Sequence, residues 1–425
     1  MKILIVAYKF GTEQELGEHL GTYHYFIEIA RRLVKAGHQV CVLAPWLSFS
    51  RRGSRGFDGL RVIRYFPPLW NKIWAFPLNR FLRLWYLRAT AHQVLKFTKK
   101  EKPDAVFVWQ ARETGYAVAQ IKDKLNCPFI FRQITTWHWH FIRQPQEIFG
   151  QRSWYQQLRK IGLAKLTDYL LNFLLAQKSQ KKYAQAIYRQ ADKVIFLSQV
   201  AAREGLAMGL PESKVAILPV CIETDLFQPL DKKLALRQEL RLEGNKIILF
   251  IGRINFAEKG LGYLLHAMPQ IVAEVPDVNL VIVGGGGETP KMEALIKDLN
   301  IKNHVQLVGQ QPFAKLAKYL NAADVFAMPS VWMEAFGQVT IEAMACGVPV
   351  VTSDAGASPE ININNETGYV VPAENADALA RALMEILKSD ELRDRFGARA
   401  RGRVLGNYTY EVVIENLLKI ISLTK

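Results

Sequence analysis

The chain has 425 residues, half of them apolar and 22% charged, with a formal net charge of +16. That length suggests two or three domains, and the composition excludes a disordered chain. The four cysteines, Cys41, Cys127, Cys221 and Cys346, are far apart. This excludes a zinc ribbon or a redox pair and fits a reduced, cytosolic chain.

The opening MKILIVAYKF has a short apolar run and no small-residue cleavage site, so it reads as a first strand (3–8) and not as a signal peptide. A loop with Gly11, Gly17 and Gly21 follows. Thr22 to Lys35 reads as a helix, ended by Gly37, whose missing Cβ suits a left-handed cap. HQVCVLAP, AVFVWQ (105–110), PFIFRQI (128–134) and KVIFLSQ (193–199) are further strands, the last of them closing the first half.

The alternation then restarts. KIILFIGR (246–253) is a strand, LGYLLHAMPQIVAEV a helix, and NLVIVGGGG (279–287) a strand running into four glycines. HVQLVG, DVFAMPS and PVVTSD are later strands. Strands alternating with amphipathic helices predict parallel α/β sheets. LPVCIETDLFQPLDKK, with Pro219 and Pro229 and no periodicity, reads as the linker. TYEVVIENLLKIISL is a final amphipathic helix. The expected division is residues 1–218, 219–407 and a closing helical segment 408–425.

Charge is uneven. Residues 1–215 hold 34 Lys+Arg against 14 Asp+Glu, or +20, and residues 216–425 hold 21 against 25, or −4. An anionic partner is therefore expected for the first half. Two regions there exceed a plain α/β unit, RYFPPLWNKIWAFPLNRFLRLWYLR (64–88) and the Arg-, Lys-, Gln- and Tyr-rich stretch 141–189. Extra helices covering the sheet are one reading. A basic, aromatic membrane-surface patch is a second, with Trp and Phe at the headgroup level and Arg and Lys on anionic lipid. Nucleic acid is a third, but no nucleic-acid-binding motif accompanies it and no nucleic-acid partner is expected. The best membrane-span candidate, LAKLTDYLLNFLLA from Leu163, is interrupted by Lys165, Asp168 and Asn172 and is too short. A soluble, cytoplasmic protein is expected, with the inner face of the membrane as a place of peripheral attachment.

The most informative stretch is EAFGQVTIEAMACGVPVVTSD, from Glu334. A helix is expected from about Gly337 to Ala345, with Glu342 about one turn in and Glu334 in the loop before it. Free N–H groups at such a helix start suit phosphate or developing negative charge. Ionised carboxylates suit sugar hydroxyls, since they only accept. Spacing alone favours the plainer reading, a solvated loop Glu and a helix-face Glu. The glycines 284–287 would let backbone approach a ligand, or would simply make a tight strand-to-helix turn.

The surrounding segments decide between these readings. FIGRINFAEKG, MPSVWMEAFGQVTIEAMACGVPVV and NNETGYVVPAENADALA occur in this order, preceded by ADKVIFLSQ and GLPESKVAILP. Together they resemble glycosyltransferase family 4, the retaining nucleotide-sugar glycosyltransferases of GT-B fold. The resemblance spans nearly the whole chain and is densest from Lys193 to Val371. It implies an α/β chain of two Rossmann-like domains facing across a cleft, the donor in the second and a hydroxyl acceptor in the first. It implies that Arg253 and Lys259 contact the donor diphosphate, offsetting charge on the leaving group. Glu334 would hold hydroxyls of the transferred sugar, assisted by backbone near Phe336 and Gly337, and Glu342 the ribose hydroxyls. Gly252, Gly285 and Gln338 complete the implied donor contacts.

No two aspartates are separated by one residue, so the Asp-x-Asp metal signature of the other main glycosyltransferase fold is missing. HWH at 138–140 lacks a further ligand at metal spacing. No metal and no cofactor are expected, and the two cations take the metal's place. The chain keeps only Gly21 of two adjacent glycines that many members have before the first helix. The His that many carry near the transfer point matches either His138 or His140. The expected activity is metal-independent sugar transfer with retention, in cell-surface polysaccharide or glycolipid synthesis, from a nucleotide-diphosphate sugar to a sugar or lipid-linked acceptor. A nucleotide-sugar epimerase of similar fold, or a non-catalytic membrane-associated nucleotide-sugar binding protein, are the alternatives. No G-x-G-x-x-G follows the first strand, which argues against a dehydrogenase.

Overall fold

A computed structural model of the protein describes residues 1–11, 20–46, 55–57, 59–66, 76–109, 112–134, 157 and 177–424. His138, His140 and most of 141–189 lie outside them. The chain divides into two compact units, one of Met1–Leu197, Ala201–Leu218 and Leu417–Lys425, the other of Ser198–Val200 and Pro219–Asn416.

In the first unit the described strands are β1 (Lys2–Ala7), β2 (Gln39–Pro45), β3 (Arg55–Phe57), β4 (Leu60–Tyr65), β5 (Ala105–Trp109), β6 (Phe129–Arg132), β7 (Lys193–Phe196) and β8 (Val215–Ile217). They form one sheet in the order β3-β4-β2-β1-β5-β6-β7-β8, parallel except for the β3–β4 pair. Parallel sheets are covered on both faces, so their strands are apolar on both. Every residue of β5 and β6 is buried accordingly. The Leu20–Lys35 helix lays Phe26, Ile29, Ala30 and Leu33 on this sheet, the i, i+3, i+4, i+7 stripe of an amphipathic helix. It stops where Gly37 turns left-handed, at φ +84°. The Phe76–Glu101 helix is tied down by two buried hydroxyl pairs, Tyr65–Thr90 (2.8 Å) and Tyr86–Thr114 (2.6 Å). KVIFLSQ is not the last strand of this sheet. The three-residue β8 pairs beyond it, Val194 opposite Val215.

The second unit repeats the plan with β9 (Lys246–Ile251), β10 (Val278–Val283), β11 (Val305–Gly309), β12 (Val325–Met328), β13 (Val350–Ser353) and β14 (Gly368–Val371). The order is β11-β10-β9-β12-β13-β14, all parallel. Asp324 fixes the start of β12 against β9, accepting from the Ile247 N–H (2.7 Å) and from Arg237 (2.6 Å). The expected linker is not a bare tether. Cys221, Ile222 and Phe227 are buried, and the Ile222 N–H donates to the Tyr408 carbonyl at 3.0 Å. The final helix spans Tyr410–Leu423.

Candidate active site

In the second sheet the chain leaves β9 to build β10 and β11 on one side, then returns to build β12, β13 and β14 on the other. The connections after β9 and β12 therefore diverge at one place, and such a switch point at the carboxyl ends of parallel strands is where α/β sheets bind ligands. β9 runs into Gly252 and Arg253, and β12 into the loop that carries Glu334.

After β9, Asn255 caps a single turn, Phe256–Lys259, its side chain accepting from the Glu258 N–H at 3.1 Å. Gly260 closes that turn at φ +63°, and a Cβ there would lie 1.8 Å from the Pro329 carbonyl oxygen. Only glycine lets this turn sit against the end of β12. The Glu258 carbonyl accepts from the N–H groups of Val331 (3.0 Å) and Trp332 (3.2 Å), and its carboxylate holds the Arg253 guanidinium at 2.6 Å. Glu258 thus links Arg253 to the loop after β12.

In that loop Glu334 is fixed from three directions. Its Oε1 accepts from the Lys259 ammonium and from the Ser330 hydroxyl, the latter at 2.9 Å. Its carbonyl accepts from the Ala357 N–H at 3.0 Å. Gly356, at φ +60°, lies so close beneath it that a Cβ would meet the Glu334 nitrogen at 2.5 Å. The Glu334 side chain is 16% exposed and that of Lys259 21%. Arg253 is 64% exposed, so the first cation faces water and the second lies mostly inside.

The expected helix spans Gln338–Ala345 and starts at Gly337 with no side-chain cap. Its first N–H groups lack intrahelical partners by geometry. Phe336 packs its ring edge-on against Tyr408 at 5.7 Å, fixing the approach to the helix. One turn in, Glu342 is buried rather than solvated. Its Oε1 accepts from Gln338 Nε2 at 3.0 Å, while Oε2 has no hydrogen-bond partner. Burial pushes its carboxyl up from 4.5 to about 8, the Gln338 hydrogen bond opposing only in part. A buried carboxyl oxygen without a hydrogen-bond partner is costly, and a ligand hydroxyl would complete it.

The glycine run divides into two roles. A Cβ on Gly284 would meet the Gly252 carbonyl oxygen at 1.8 Å, and one on Gly286 the Ile254 carbonyl oxygen at 2.4 Å, so these two pack against the Arg253 segment. Gly285 and Gly287 have open space on their Cβ side. The expectation of backbone approach to a ligand therefore falls on these two alone.

Lys259 and Glu334 meet directly, and Arg253 joins them through Glu258. Glu342 pairs with Gln338 instead. Gly21 sits at the start of the Leu20–Lys35 helix of the other unit. Sequence reasoning did not single out Glu258, Ser330 or Gly356, although Glu258 opens the EKG triplet of FIGRINFAEKG.

Sequence models of two families match adjacent parts of the chain, Glycosyltransferase Family 4 over residues 21–226 and Glycosyl transferases group 1 over 231–403. The chain belongs to glycosyltransferase family 4. Among its relatives is the phosphatidyl-myo-inositol mannosyltransferase of Mycolicibacterium smegmatis, 37% identical over 41% of this chain and 44% of that one. Another, from the same organism, is the GDP-mannose-dependent alpha-(1-6)-phosphatidylinositol monomannoside mannosyltransferase, 31% identical over 56% of this chain and 63% of that one. The matched stretch is thus about half of the relatives' own length. The family-4 chain shares its fold with the solved sucrose-phosphate synthase of Thermosynechococcus elongatus, with a TM-score of 0.72 at 22% identity over 99% of this chain and 98% of that one. The fold is GT-B, as expected from the sequence. Among the described residues no group of three or more His, Cys, Asp or Glu is placed to hold a metal, and no helix is long and apolar enough to cross a membrane.

Proposed function

We propose that the chain is a retaining glycosyltransferase that moves a sugar from a nucleotide-diphosphate sugar to a hydroxyl acceptor without a metal ion. The observation that carries this reading is the Lys259–Glu334 contact at the β9/β12 switch point, a cation and a carboxylate side by side. As the bond from the anomeric carbon to the phosphate oxygen breaks, negative charge builds on the diphosphate. Lys259 and Arg253 offset it, and they are already present before the charge develops. Glu334 accepts from hydroxyls of the sugar, Glu342 Oε2 from a ribose hydroxyl, and Gly252, Gly285, Phe336, Gly337 and Gln338 shape the donor's bed. The departing diphosphate takes the acceptor's proton on the face it leaves, which gives retention. With the two cations in place, transfer in EDTA should equal transfer in magnesium, and proton NMR of the product should show the donor's anomeric configuration. An absolute magnesium requirement, or an inverted product, would overturn the reading.

The relatives' names point to a lipid-linked acceptor, with glycolipid synthesis as the process and mannose as a donor sugar to test first. The first unit suits a lipid surface. On the Phe76–Glu101 helix Leu84 and Trp85 are 51% and 53% exposed, and Arg88 is exposed beside them. Trp85 continues an aromatic row through Phe66 (4.6 Å) to Trp46 (5.1 Å). Apolar rings flanked by cations match an anionic bilayer. The chain should sediment with anionic liposomes at low salt, less with zwitterionic ones, and Trp85→Glu should weaken this several-fold. Equal sedimentation of wild type and variant would count against this surface.

A further inference from the structure

We propose that Ser330 is the positioning residue for Glu334, fixing which carboxylate oxygen meets the donor sugar; the inference rests on the transferase reading above. Oε1 of Glu334 carries two contacts, the Lys259 ammonium and the Ser330 hydroxyl. A carboxylate offers acceptor sites on both oxygens, so with Oε1 filled, Oε2 is the oxygen that takes sugar hydroxyls.

The two Oε1 partners differ in kind. Lys259 is a point charge on a flexible four-carbon stem, and a diphosphate beside it competes with Glu334 for the same ammonium. If Lys259 were the sole anchor, Glu334 would be drawn along as the ammonium turned to the phosphates. Ser330 does not face that competition. It is completely buried at the carboxyl end of β12, and its own carbonyl accepts from the Ser353 hydroxyl at the end of β13. Ser330 is thus held by two adjacent strands of the sheet, and its short side chain has one heavy atom to place. It keeps the carboxylate in one orientation while Lys259 exchanges partners. A fixed acceptor discriminates among sugars by the direction of their hydroxyls, because a hydroxyl turned the wrong way leaves the largely enclosed carboxylate oxygen without its partner.

Ser330→Ala removes the hydroxyl and leaves both cations. With the UDP- or GDP-hexose that the wild type uses best, kcat/KM should fall about 10-fold, the order expected for one hydrogen bond to a charged group. The preference for that hexose over its 4-epimer and 2-epimer should shrink by a similar factor. Affinity for sugar-free UDP and GDP should stay within about 2-fold, since Arg253 and Lys259 are unchanged. Ser330→Thr keeps the hydroxyl and should restore most of the preference. Wild-type kcat/KM and epimer preference in Ser330→Ala would overturn the inference. So would a parallel loss of UDP or GDP affinity, which would mark Ser330 as a support for the whole loop. A wild-type chain that transfers sugar from no UDP- or GDP-hexose and binds neither nucleotide would instead overturn the transferase reading, and this inference with it.

Discussion

Glu334→Ala should lower kcat for sugar transfer about 100- to 1,000-fold, the range seen when one group that stabilises a transition state is removed. The fold should survive. Glu334 lies in a loop, contributes no apolar core, and its backbone contacts to Trp332 and Ala357 persist with any side chain. Its loss frees Lys259, whose side chain lies mostly inside the protein. Nucleoside diphosphate should therefore bind at least as tightly to the variant as to the wild type, because the phosphates no longer compete with Glu334 for that ammonium. Activity and diphosphate affinity would then move in different directions, which a general collapse of the site could not produce. Activity equal to wild type would remove Glu334 from the mechanism.

Glu342 gives the second large effect, and it is one of stability as well as binding. Its carboxyl titrates near pH 8 in the folded chain, against an ordinary value of 4.5. Below about pH 4.5 both states hold the proton and the residue costs nothing. As pH rises from there to 8, the unfolded chain ionises while the folded chain keeps its proton, so stability falls; above 8 the loss is complete. Each tenfold difference in proton affinity between the two states is worth about 1.4 kcal/mol, so the total is a few kcal/mol. Glu342→Gln keeps the shape and removes the ionisation. The variant should melt within about 1 °C of wild type at pH ~5 and at least about 4 °C higher at pH ~8.5. It should bind nucleotide sugars more weakly than wild type only above pH ~8, where the wild-type carboxyl is ionised and the variant's neutral amide is the poorer acceptor for a hydroxyl. A melting difference that is the same at both pH values would show that Glu342 is not held neutral by burial.

Much of this was legible because parallel strands buried on both faces are written as continuous apolar runs. KIILFI and NLVIV end on glycines, and both runs match β9 and β10. The Gln338–Ala345 helix and the places of Glu334 and Glu342 also followed from the sequence. Strands outside a longer apolar run did not. β3 (RGF) and β8 (VAI) have three residues, too few to establish a pattern, and GYVV reads equally as the end of a turn. The contact between Lys259 and Glu334 joins residues 75 apart in the chain, and only strand order brings them together. Ser330 carried no signal of its own, since a serine after a strand is ordinary. The burial of Glu342 was hidden because a Glu one turn into a helix is more often solvated. The neutral state of its carboxyl follows from packing that no local pattern records.

In the proposed function Arg253, Lys259, Glu334 and Glu342 form one donor site in which side-chain cations hold the diphosphate. Calorimetric titration of UDP- and GDP-hexoses into the purified protein in EDTA tests it most directly. Saturable one-to-one binding of one of these donors by the wild type is expected, weakened at least about 10-fold in both Lys259→Ala and Arg253→Ala. Binding seen only when magnesium is added, or affinity unchanged in both variants, would contradict it.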